Sequence, residues 1–201
     1  MPHPYLRLAL FLTLLCPLGY WFYQAWTFAL GPDPGRVLLW NLGQWSLGLL
    51  LATLCMSPLQ QLTGWRWIAF RRQLGLWSFA YALLHLLAYL SFVLGFEWSQ
   101  LAVEIQRRPY ILVGFLAFLV LLPLAGSSNR RAMRLLGKKW KPLHRLVYLA
   151  VCLGLLHMLW IARSDIGNWA VYAVIFAILM VLRVGVVRAW LIKRRPARNS
   201  E

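Results

Sequence analysis

The sequence predicts an all-α protein: an integral membrane bundle of six transmembrane helices with both termini on the cytoplasmic side. Three observations predict it. Hydrophobic residues make up 61% of the 201 and charged residues only 13%, against about 25% charged in an ordinary soluble domain. The apolar residues gather in blocks approaching the roughly 20 needed to cross a bilayer as a helix. The basic residues crowd into every second connection between those blocks.

In chain order the blocks cover residues 6–30, 37–58, 74–96, 110–126, 142–161 and 169–190. The first is too long for a signal-peptide core and has no small-x-small pattern after it, so it is expected to be retained. The fourth is the shortest. The connections are too brief for an extramembrane domain, so residues 1–201 read as one domain.

With the amino terminus inside, one end of the bundle holds sixteen Lys and Arg: Arg7, Arg66, Arg71, Arg72, seven between Arg130 and Arg145, and five from Arg188 onward. The other end holds four, Arg36, Arg107, Arg108 and Arg163, together with Asp33, Glu97, Glu104 and Asp165. Such an imbalance orients the chain with its basic end, and both termini, in the cytoplasm. The net charge of +16 and pI near 10.9 therefore speak for anionic lipid or an acidic soluble partner, and not for nucleic acid. Cys16, Cys55 and Cys152 fall on three different spans with no metal-ligand spacing, and read as small buried hydrophobes.

The histidines carry the functional signal. His85 lies in "FAYALLHLLAYL", and His144 and His157 in "KPLHRLVYLAVCLGLLHMLW"; His3 is in the amino-terminal tail. An imidazole inside an apolar span is costly unless its nitrogens are satisfied, so each marks a candidate site. Counted from the basic anchors at 1.5 Å per residue, His85 is about 20 Å deep, His157 about 24 Å and His144 about 5 Å. His85 and His157 are thus level, on the third and fifth spans, and could ligate one haem iron from opposite sides. His144 could serve a second redox group near the cytoplasmic face, or sit at the interface bonding lipid headgroups and backbone. Arg183, inside the sixth span, could snorkel to the interface or neutralise a haem propionate or flavin phosphate. Small residues beside the histidines (Gly75, Ala80, Ala82, Ala88, Ala150 and Gly154) suit either a flat macrocycle or plain helix packing.

The stretch "RRQLGLWSFAYALLH" resembles the third helix of the ferric reductase-like transmembrane superfamily, which includes the NADPH oxidases and the STEAP metalloreductases. "KKWKPLHRLVYL…LLHMLW" is similar to the fifth helix of the same group. Six bare helices with "W-x-x-LHRLVY" on the fifth look most like the MsrQ (YedZ) family, over nearly the whole chain. The resemblance implies haem b with His85 and His157 as iron ligands and His144 as the family's third histidine. Arg71 and Arg72 of its basic pair, with Arg183, join the expected cofactor-binding set. It implies FMN, electrons from the quinone pool or a cytosolic flavin reductase, and delivery to MsrP, a periplasmic molybdopterin methionine sulfoxide reductase.

No dinucleotide fingerprint occurs and no flavin-and-nicotinamide domain is expected beyond the sixth span, so the chain reads as a relay that does not oxidise NADPH itself. The rival readings are a ferric or cupric metalloreductase, and a non-redox membrane scaffold whose histidines only pack.

Overall fold

The computed structural model describes residues 4–162 and 166–184. The end of the sixth expected span, at Trp190, and the outer-loop residues Arg163 and Asp165 lie outside the described residues, as does His3. Among the described residues all regular structure is helical. In order these are α1 (Pro4–Trp26), α2 (Pro34–Thr63), α3 (Arg71–Ala88), α4 (Trp98–Arg107), α5 (Tyr110–Gly126), α6 (Arg130–Leu136), α7 (Trp140–His144), α8 (Leu146–Ala162) and α9 (Gly167–Val181).

A helix stands at each expected span. α1, α2 and the segment Trp67–Val93 around α3 are long and apolar enough to cross a membrane unaided. The fourth and fifth expected spans are each half of a bent pair: α4 meets α5 at 111°, and the segment Arg130–His144 meets α8 at 41°. α9, as described, is a shorter apolar helix.

Local chemistry explains the ends. Asp33 caps α2 by accepting the Arg36 amide at 3.0 Å, with Pro34 in the first turn where its missing N–H costs nothing. Gly64 closes α2 in the left-handed region at φ 77, which glycine adopts without a Cβ penalty. Residues 97–108, expected as a loop, contain α4 instead. Leu101 and Ile105 recur at helical spacing among charged neighbours, the pattern of a helix lying along an interface rather than across it. The loop from Arg130 is likewise mostly helical, started by Asn129, whose side chain accepts the Ala132 amide at 2.7 Å.

α2 packs most extensively on α3, and α5 on α8. Ser46 and Ser78 clasp the first pair, each hydroxyl donating to the other's carbonyl at 3.0 and 2.8 Å. Leu50, Leu54, Leu121, Leu124, Val151 and Leu155 fill the centre where α2, α5 and α8 meet. α1 is held differently. Tyr81, fully buried on α3, donates from its hydroxyl to the Leu14 carbonyl at 2.8 Å, and packs with Trp21, Trp45 and Trp77.

The outside is as apolar as the core. Phe22, Trp26, Phe92, Leu119, Ile178 and many other large hydrophobics are exposed, a patch no water-soluble surface carries and one that lipid tails cover at no cost. The protein is a multi-pass membrane protein.

The charge asymmetry makes a sidedness prediction. In a variant lacking the three native cysteines, Asp33→Cys and Trp98→Cys are expected to react with a membrane-impermeant maleimide added to intact cells, and Lys138→Cys only after lysis. Labelling in the opposite pattern would invert the bundle and the direction of any electron path through it.

Candidate functional site

His85 projects from α3 and His157 from α8, and the structure brings their rings together, with centroids 6.2 Å apart and planes at 89°. Each ring is fixed from behind. His85 Nδ1 donates to the Leu39 carbonyl of α2 at 2.9 Å, and His157 Nδ1 donates to the Tyr110 carbonyl at the start of α5 at 2.7 Å. A carbonyl can only accept, so both imidazoles carry their proton on Nδ1 and keep the Nε2 lone pair. A backbone carbonyl setting the tautomer and leaving Nε2 available is how proteins prepare histidine to ligate a metal.

The rings fit because two glycines stand against them. A Cβ on Gly43 of α2 would come within 3.2 Å of the His85 ring, and one on Gly114 of α5 within 2.7 Å of the His157 ring. A lone glycine inside a helix costs about 1 kcal/mol relative to alanine. Here each one makes room for an imidazole from the neighbouring helix. Neither glycine stood out in the sequence. Their only signal was an isolated Gly in "LWNLGQWS" and in "YILVGFLAF", which a helical pattern tolerates only for a packing or functional reason.

The pair suits a metal that brings most of its own ligands. No group of three or more His, Cys, Asp or Glu that could hold a bare ion exists among the described residues, and a bare ion commonly takes four protein ligands.

His144 is elsewhere. It closes α7, stacked on Trp140 at 4.0 Å, with Nδ1 donating to the Trp140 carbonyl at 3.2 Å and Nε2 3.5 Å from the Ser128 hydroxyl. Thirteen residues separate it from His157, about 20 Å of helix. Near that end of the bundle Arg183 turns inward, donating to the carbonyls of Leu179, at 2.7 Å, and Leu54. Its guanidinium lies 5.9 Å from the centre of the Tyr148 ring. Arg71 is within electrostatic reach of Tyr148, Arg183 and His144, whereas Arg72 is exposed. The described acids, Asp33, Glu97 and Glu104, are all at the other end of the bundle, so the Arg71–Arg183 cluster meets no carboxylate among the described residues.

Residues 40–155 match the family described as the ferric reductase like transmembrane component. The chain is also 43% identical, over 182 residues, to the protein-methionine-sulfoxide reductase heme-binding subunit MsrQ of Azospira oryzae, across 89% of this chain and 78% of that protein. The chain belongs to the MsrQ family. The ferric reductase-like match takes in Gly43, His85, Gly114 and His144, and stops at Leu155, just short of His157. In this MsrQ-family chain α8 places the ring of His157, two residues beyond that match, 6.2 Å from His85.

Proposed function

We propose that the protein is a haem-carrying electron-transfer subunit of the bacterial inner membrane, with one haem b ligated by His85 and His157. The observation that carries this reading is the separation of the two rings. A metal-bound imidazole nitrogen lies about 2.0–2.1 Å from the metal, so two imidazoles that would share one ion must stand close together. The rings are 6.2 Å apart, and both Nδ1 protons are already committed to carbonyls. An iron held by four porphyrin nitrogens could take up to two further ligands, and His85 and His157 would supply both.

Haem supplies one-electron chemistry when bound. The chain's own contribution is to hold both imidazoles in one tautomer, to surround them with apolar side chains and to keep them from rotating. Gly43 and Gly114 supply the clearance for this, and the two carbonyl bonds supply the restraint. Such ligation and burial set a potential and deny small molecules an open coordination position.

At the inner end we assign the Arg71–Arg183 cluster, with Arg72 and His144 at its margin, to an anionic cofactor group, the phosphate of FMN. Two guanidiniums that meet no carboxylate among the described residues favour a multiply charged anion. This end would accept electrons from the quinone pool or a cytosolic flavin reductase, and the His85–His157 end would serve a periplasmic molybdopterin methionine sulfoxide reductase of the MsrP type. The heme-binding MsrQ relative, named as a subunit of a protein-methionine-sulfoxide reductase, supports that choice of acceptor.

The test uses purified protein supplied with reduced flavin or quinol. The expected result is a low-spin b-type spectrum that reduces under donor. It then reoxidises on adding the molybdoenzyme with methionine sulfoxide, while NADPH alone is not consumed. Rapid reoxidation by ferric chelates, with no response to the molybdoenzyme, would establish the metalloreductase reading instead. The absence of any Soret band after haem-sufficient expression would leave only the scaffold.

A further inference from the structure

At the basic end of the bundle, residues 130–145 carry seven Lys and Arg and no Asp or Glu. The ion pair found among the described residues, Glu104–Arg108, belongs to the opposite end. Like charges gathered without a counter-charge repel one another, and an anionic partner relieves that repulsion. Part of this stretch is also shaped. A crevice of about 460 Å³ lies along the junction of α6 and α7, lined by Met133, Gly137, Lys138, Trp140 and Lys141.

The walls of the crevice are fixed. Gly137 takes φ 47, a left-handed conformation that glycine enters without a Cβ penalty, and so turns the chain between the two helices. Trp140 is held from two directions. Its indole N–H donates to the Ser127 carbonyl at 3.1 Å, and its ring stacks on His144. Lys138 and Lys141 stand on either side of Trp140 in the chain, and neither ammonium has a hydrogen-bond or ion-pair partner among the described residues. Apolar surface adjoins them: Met133 in the lining and Leu135 on the same short helix are 42% and 79% exposed.

We propose that this crevice binds the phosphate headgroup of an anionic phospholipid of the cytoplasmic leaflet, with Lys138 and Lys141 as its charged contacts. The crevice shares no residue with the His85–His157 pair or the Arg71–Arg183 cluster, so its ligand is independent of haem and flavin. Two features choose lipid over an acidic protein. The charge asymmetry sets this end of the bundle against the inner leaflet, where phosphate oxygens are always within reach of an ammonium. Unpaired cations beside exposed apolar side chains also match an amphiphile, whose tail covers Met133 and Leu135 while its head meets the lysines. An acidic protein surface would satisfy the charge and leave Leu135 in water. Basic pockets on the cytoplasmic side of membrane proteins recognise headgroups in this way.

The experiment titrates the full-length protein, delipidated in a neutral detergent, with cardiolipin or phosphatidylcholine, and counts bound lipid by native mass spectrometry. Wild-type protein is expected to bind cardiolipin in clear preference to phosphatidylcholine. Lys138→Gln combined with Lys141→Gln should weaken that binding about tenfold or more, the scale of two basic residues acting on an anionic lipid. Arg130→Gln combined with Arg131→Gln removes the same charge from residues that do not line the crevice. At about 0.15 M salt, where charges are screened beyond about 8 Å, this pair should weaken binding less than about threefold. Equal weakening by the two pairs would overturn the inference, because it would mark diffuse attraction to a basic surface. Unchanged cardiolipin binding in the lysine variant would do the same. Displacement of the lipid by added FMN would give the crevice to a free phosphate monoester instead. A poly-glutamate peptide that binds through both lysines, while cardiolipin does not, would give it to an acidic protein. Either result would also overturn the inference.

Discussion

His157→Ala and His85→Ala are each expected to lower haem content by roughly tenfold or more and to abolish the low-spin spectrum of whatever remains, because a single axial imidazole then faces a side-chain-sized void. The two should be alike in severity, since each ring is fixed by one carbonyl bond and no further His, Cys, Asp or Glu joins the pair among the described residues. His144→Ala separates the sites. It should leave that low-spin signal in place, because His144 stacks on Trp140 and lies about 20 Å along the helix from His157. Haem content and absorption of the three purified variants, normalised to protein, check this. A wild-type spectrum in either of the first two would remove that residue from the ligand set.

Gly114→Ala is expected to come next in effect, although it deletes nothing. The new Cβ would stand 2.7 Å from Cε1 and Nδ1 of His157, closer than real contacts allow, and 3.1 Å from Nε2. The ring cannot step aside freely, because its Nδ1 is tied to Tyr110 at 2.7 Å. Alanine gains about 1 kcal/mol in helix propensity over glycine, but overpacking a filled interior costs about 1–3 kcal/mol, and here the strain falls on the ligand itself. Haem content should fall several-fold, with high-spin iron in the remainder. Gly43→Ala, where the approach is 3.2 Å, should show a smaller loss, and Gly48→Ala, at 3.8 Å, almost none. Spectra of the three variants in one preparation test that order. A wild-type spectrum for Gly114→Ala would mean that the His157 ring is not positioned by this fit.

Much of the architecture was legible because a bilayer imposes one dominant rule. Backbone polar groups must be satisfied within the segment, so long apolar blocks become helices whatever their neighbours do. The same rule made α4 hard to read. Residues 98–107 are amphipathic, and a hydropathy reading separates spanning from non-spanning segments while saying little about a helix that lies along the surface. The bends before α5 and α8 were also out of reach, since each interrupts a run whose composition is apolar on at least one side.

The amino-acid sequence by itself determined the helical class, the membrane setting, the basic end of the bundle, and the equal depth of His85 and His157, all of which follow from counting residues along a helix of fixed rise. Only the tertiary structure decided which face each helix turns inward. That choice put the two rings 6.2 Å apart, placed Gly43 and Gly114 against them, and committed the Leu39 and Tyr110 carbonyls to the Nδ1 protons. It also turned Arg183 into the bundle towards Leu54 and occupied both nitrogens of His144 with Trp140 and Ser128. Backbone carbonyls are common to every residue and a glycine is informative only through what stands opposite it. Contacts of this kind leave no mark on one chain segment, because half of each is supplied by a helix distant in sequence.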